Sequence, residues 1–141
     1  MEGVNDRFRG GSNVFACHTS AGPERVWAAL TDPSRTTGYL YGLAAHSTWE
    51  PDAAISLERA GRAWLAGQVV CSRPNERLSY ALRADPSDSP VYLTWLIRST
   101  SAGCVIRLEV DELESDDAKG SEDAEDTWLP ILAALQRELA C

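Results

Sequence analysis

Two histidines, His18 and His46, stand in a chain of 141 residues that carries five tryptophans and four tyrosines. The two sets point to different chemistries. Acid–base or nucleophilic work needs a histidine or carboxylate held beside a partner. His18 closes a strand-like run and His46 follows two short helical segments, so a surface or capping role suits each. The sequence has no glycine–serine–glycine elbow, no phosphate loop and no cysteine or histidine pair at metal-ligand spacing. Gln68, Tyr80, Thr94, His46 and Glu50 are the polar side chains that could reach a bound molecule. Glu50 is the foremost catalytic candidate, with His46 behind it, because a carboxyl group in apolar surroundings gains a raised pKa and can act as acid or base. The aromatics point to binding. They offer large, fairly rigid surfaces with a few polar tips, suited to an apolar or aromatic small molecule, although any single one more often fills a core.

The element that must position them is the last one. Trp128, Ile131, Leu132, Leu135 and Leu139 fall at i, i+3, i+4, i+7 and i+11, one side of an α-helix. Pro130 leaves two readings of its start: Asp126 or Thr127 as cap, or Ser121 as cap of a longer helix kinked at the proline, which is favoured. Asn13–His18 reads as a first strand. Pro23 suits the first position of a short helix, and Asp32-Pro33 ends it and opens another that runs toward Tyr39 and Leu40 before Gly42. The period then changes to two. Ser47–Glu50 and Ala54–Glu58 are weak strands, and Trp64–Cys71 is a stronger one with Leu65, Val69 and Cys71 on one side. Leu78, Tyr80 and Leu82 alternate with polar or small residues; Val91, Leu93, Trp95 and Ile97 form an apolar side opposite Tyr92, Thr94 and Arg98, and Ile106, Leu108 and Val110 alternate with Arg107, Glu109 and Asp111. Short polar turns between them predict an antiparallel meander with one dry face.

Length predicts one domain, 13–141, after a flexible N-terminal tail, 1–12. The formal charge of −8 and pI near 4.7 argue against nucleic acid and anionic membranes as partners. No apolar run is long enough for a membrane span and the start lacks a secretory pattern, so a cytoplasmic protein is expected. The acids crowd between Asp111 and Asp126, relieved only by Lys119, which reads as a solvated loop and helix start rather than a metal site. Cys17, Cys71, Cys104 and Cys141 show no paired spacing, and reduced thiols are expected.

Several of these segments, in this order, resemble the helix-grip fold of the START-like (SRPBCC) superfamily, in the branch named for the activator of a heat-shock chaperone's ATPase. They are Pro23-Glu24-Arg25-Val26-Trp27 with Leu30-Thr31-Asp32-Pro33, Ser47-Thr48-Trp49-Glu50-Pro51 and Gly67-Gln68-Val69. Pro74 with Leu78-Ser79-Tyr80, Thr94-Trp95, Gly103 before Arg107-Leu108, and Trp128 with Leu132 and Leu135 continue the pattern to the C-terminal end. Asp52-Ala53 departs from it where glycines are usual, as do Cys104 for threonine and Thr127 for glycine. The resemblance implies an α+β fold: a curved antiparallel sheet of about six or seven strands around a long C-terminal helix, with two short helices after the first strand. It implies a pocket between sheet and helix, walled by Val69, Leu78, Tyr80, Leu82, Leu93, Trp95, Leu108, Trp128, Leu132 and Leu135. Tyr39, Tyr41 and Trp49 would stand nearer its rim. The expected partner is a small apolar molecule, with no cofactor and no metal. A cyclase- or dehydratase-like enzyme, or a co-chaperone that binds a protein or a second copy, is the alternative.

Overall fold

The structure, a computed structural model, describes residues 12–87, 89–112 and 118–140. The chain opens with strand β1 (Ser12–Thr19), followed by α1 (Pro23–Thr31) and α2 (Pro33–Thr36). Six strands follow: β2 (Ala44–Ser47), β3 (Ala54–Arg59), β4 (Arg62–Arg73), β5 (Arg77–Arg83), β6 (Val91–Thr100) and β7 (Gly103–Glu112). Helix α3 (Ala118–Ala140) ends it. All neighbours pair antiparallel in one seven-stranded sheet of order β1-β7-β6-β5-β4-β3-β2. This is the expected α+β architecture. The expected tail lies outside the described residues except for Ser12, which pairs with Asp111.

Local chemistry explains the first elements. Pro23 and Pro33 each take a first helical turn, where a missing N–H loses no bond. The Asp32 carboxylate caps α2 by accepting from the Ser34 N–H at 2.9 Å. This hydrogen bond and that from the Ser34 hydroxyl hold the Asp32 carboxyl below its ordinary range. Helix α2 stops at Thr36, well short of Tyr39 and Leu40, which lie in turns instead. Thr36 is why the turns hold. Its buried hydroxyl lies 3.1 Å and 3.0 Å from the Pro33 and Leu43 carbonyls and accepts from the Ala45 N–H at 2.9 Å.

The sheet departs from simple alternation at two bulges. One, between Val69 and Cys71, inserts Val70 and sets Cys71 opposite Ser79 rather than on the face of Val69. Cys71 therefore does not share a side with Leu65 and Val69. The second falls between Leu57 and Glu58. The strand expected at Ser47–Glu50 begins earlier, at Ala44, and ends at Ser47, because Trp49 turns out of the ladder with φ +63°. Asp52, where a glycine would be usual, also has positive φ, +71°. Aspartate is among the few side chains that tolerate that region, so the turn survives the substitution.

One layer of core lies between the sheet and α3. Ile131, Leu132, Leu135 and Leu139 are buried on it, each contributing roughly 1.5–3 kcal/mol by leaving water. The helix begins at Ala118, ahead of either expected cap, and carries Pro130 in its interior. Its C-terminal end is tied down by Gln136 Nε2, which donates to the His18 carbonyl at 2.6 Å. Arg25 Nη2 donates to the Leu139 carbonyl at 3.0 Å. Among the described residues no helix is long and apolar enough to cross a membrane.

A candidate ligand cavity beside the C-terminal helix

The space under α3 is not uniform. In its middle, Trp95 is 1% exposed and stands edge-on to Tyr39, ring centroids 6.3 Å apart, while Trp49 tilts over Tyr80 at 6.2 Å. The Trp95 indole N–H donates to the Tyr80 hydroxyl at 3.0 Å, and the Tyr39 hydroxyl donates to the Ala29 carbonyl at 2.7 Å. Each buried polar tip thus has a partner. Burial pushes the Tyr80 phenol up to about 12 and raises that of Tyr39 well above its ordinary range, so both stay neutral near pH 7. Val69, Leu78, Leu108, Leu132 and Leu135 are buried around this aromatic group.

Toward the end of β5 the packing stops. A cavity of about 300 Å³ remains there, lined by Leu65, Leu82, Arg83, Ala84, Ser89, Val91, Leu93 and Trp128. It follows from the strand ends. The last β4–β5 pair is Ala66 with Arg83, and the last β5–β6 pair is Leu82 with Val91. Beyond them Arg62, Ala63 and Leu65 have partners only on β3, and β6 begins only at Val91, so β4 runs on with no strand on its other side. Leu82 and Leu93 form the floor, and Trp128 on the first half of α3 forms the opposite wall. The walls are mainly hydrocarbon, and Arg83 and Ser89 are the lining residues that carry polar side chains.

Of the residues expected to wall a pocket, Leu82, Leu93 and Trp128 border this cavity. Val69, Leu78, Tyr80, Trp95, Leu108, Leu132, Leu135 and Tyr39 lie in the packed core instead. Trp49 is half-buried against Tyr80, and Tyr41 is 50% exposed, its hydroxyl donating to the Thr127 carbonyl at 2.7 Å. Glu50 and His46 are both exposed. His46 faces Glu58, Nε2 to Oε1 4.0 Å, and the Ser56 hydroxyl donates to the other Glu58 oxygen at 2.8 Å. That group sits at the β2–β3 edge, away from the cavity lining. Gln68 lies on the outer face of β4, and Thr94 pairs its hydroxyl with that of Ser79 at 3.1 Å. Leu65 and Val91 were legible as inward by parity with Val69 and Leu93. Nothing in the sequence marks Arg83, whose place depends on where β5 stops.

A curved antiparallel sheet folded on one long helix, with an apolar hollow between them, is the helix-grip architecture. Within it, the chain belongs to the family described as Activator of Hsp90 ATPase homolog 1-like protein, whose model matches residues 20–140. Solved structures agree in fold. Protein MLL2253 from Mesorhizobium loti is 23% identical, with 91% of this chain and 96% of that one covered at a TM-score of 0.75. CV1439 from Chromobacterium violaceum is 20% identical over 92% and 97%, TM-score 0.73. CalU16 from Micromonospora echinospora is 16% identical over 91% and 75%, TM-score 0.74. Among curated proteins none matches the sequence.

Proposed function

We propose that the protein binds a small apolar or aromatic molecule in the cavity between the sheet and α3. The observation that carries this is the hollow itself. About 300 Å³, partly open to solvent and walled mainly by hydrocarbon, gives an apolar molecule dispersion contacts that water filling the same space would not make. The volume sits at the small end of ligand pockets, which fits a compact ring system or short chain rather than a bulky lipid. The family and the neighbouring folds support a ligand-binding architecture of this kind. Free Cys17, Cys71 and Cys104 support a reducing, cytoplasmic setting.

The test is a titration with a compact apolar probe such as 1-naphthol, followed by tryptophan fluorescence and calorimetry. Saturable one-to-one binding is expected, lost in Val91→Trp, which fills the cavity, while that variant unfolds at a temperature close to the wild type's. Binding that survives Val91→Trp unchanged, or no saturable binding of any compact apolar probe, would overturn the assignment.

A further inference from the structure

The cavity is not the only hollow at this end of the sheet. On the outer face, a groove of about 540 Å³ runs over Ala66, Gly67 and Ala81, between Trp64 and Tyr92. Leu65, Arg83 and Ala84 border both the groove and the inner cavity. The register explains why they can. By alternation Arg83 belongs to the outer face, opposite Ala66, but β5 ends with it and no strand separates the two faces beyond. Arg83 therefore stands in a notch where the interior meets solvent.

Its charge is also uncommitted. Arg83 Nη1 donates to the Pro86 carbonyl at 3.2 Å, which uses one of five N–H groups. No carboxylate lies within ion-pair distance of it among the described residues. The nearby Asp85 carboxylate accepts the Ser87 N–H and hydroxyl on its Oδ1, both at 2.9 Å, and makes no ion pair with Arg83. Arg83 is the one ionisable group bordering the cavity among the described residues. A guanidinium at the mouth of a hydrocarbon hollow matches a molecule with an apolar body and a planar anionic end.

We infer that the ligand is an apolar monocarboxylate, its hydrocarbon part in the cavity and its carboxylate on the Arg83 guanidinium in the notch. This rests on the ligand-binding assignment above. It adds the chemical class and names Arg83 as the residue that sets it.

The experiment compares octanoate with 1-octanol, which share a chain and differ at the head group, by calorimetry at pH 7.5. Octanoate is expected to bind about tenfold tighter, the low end for a charge-assisted hydrogen bond at a half-open site. Arg83→Gln should erase the difference by weakening octanoate alone, and Arg83→Lys should keep most of it. Equal binding of the two probes by the wild type, or a preference that survives Arg83→Gln, would overturn the inference and leave the cavity assignment standing. Failure of both probes to bind the wild type would overturn the inference, and the cavity assignment with it where 1-naphthol also fails to bind.

Discussion

The same sheet and the same helix enclose two differently built regions. Around Trp95 the space is filled: Tyr39, Tyr80, Leu78, Leu108 and Leu135 meet there, and the two phenols and the indole satisfy their polar atoms inside the protein. Around Trp128 it is hollow, because β5 stops at Arg83 and β6 begins only at Val91, while β4 runs on. Residue type does not separate the two, since both are lined by leucine, valine and tryptophan. Strand length does. A hollow in this fold is made by where a strand ends, and its stability is supplied by the neighbouring region that is full.

That contrast can be broken or sharpened by substitution. The largest effect is expected for Leu135→Ala in the filled region, about 2–5 kcal/mol of destabilisation in urea unfolding, from lost transfer energy and a new cavity. Next comes Gly67→Ala, at the seam between the regions. A Cβ there would collide with the Ala81 carbonyl oxygen, so the sheet must open, at about 1–3 kcal/mol. A neutral Gly67→Ala would show that β4 and β5 can part at this point without loss. Tyr80→Phe should cost about 1–3 kcal/mol by leaving the buried Trp95 N–H without its acceptor. Trp128→Ala should cost only about 1 kcal/mol, because one face of the ring already borders a void, yet should abolish 1-naphthol binding. Equal costs for Leu135→Ala and Trp128→Ala would erase the distinction between the regions.

The smallest effect is on pH dependence. Burial pushes the Cys17 thiol up to about 11 from an ordinary value of 9.0. The native state thus favours the neutral thiol. Its contribution is intact below pH 9 and is lost as pH climbs toward 11. Urea midpoints measured between pH 8 and 11 should fall in that window, and less steeply in Cys17→Ala.

Much of the fold was legible because it rests on periodicity. The stripe from Trp128 to Leu139, the alternations in β5, β6 and β7, and the prolines opening α1 and α2 each state a local physical preference that the tertiary structure keeps. The parts that were not legible depend on pairing. Cys71 changes side because a bulge at Val70 costs nothing visible in the sequence. Ser47–Glu50 loses its strand to a positive φ at Trp49, a residue type that gives no warning of it. Alternation also reports which side a residue faces and not how deep it lies. That is why Leu78, Tyr80 and Trp95 could be placed inward while their packing against one another, away from the hollow, could not be foreseen.

Pro130 carries one more consequence. It has no N–H to give the carbonyl four residues back, so the rod that crosses the sheet has a weak joint in the turn that carries Trp128. The Tyr41 phenol hooks the neighbouring Thr127 carbonyl from outside, and releasing such a hook costs about 1 kcal/mol. The wall beside the void is thus a hinged panel on a light catch, while the far end of the rod is bolted through Leu135 and Leu139.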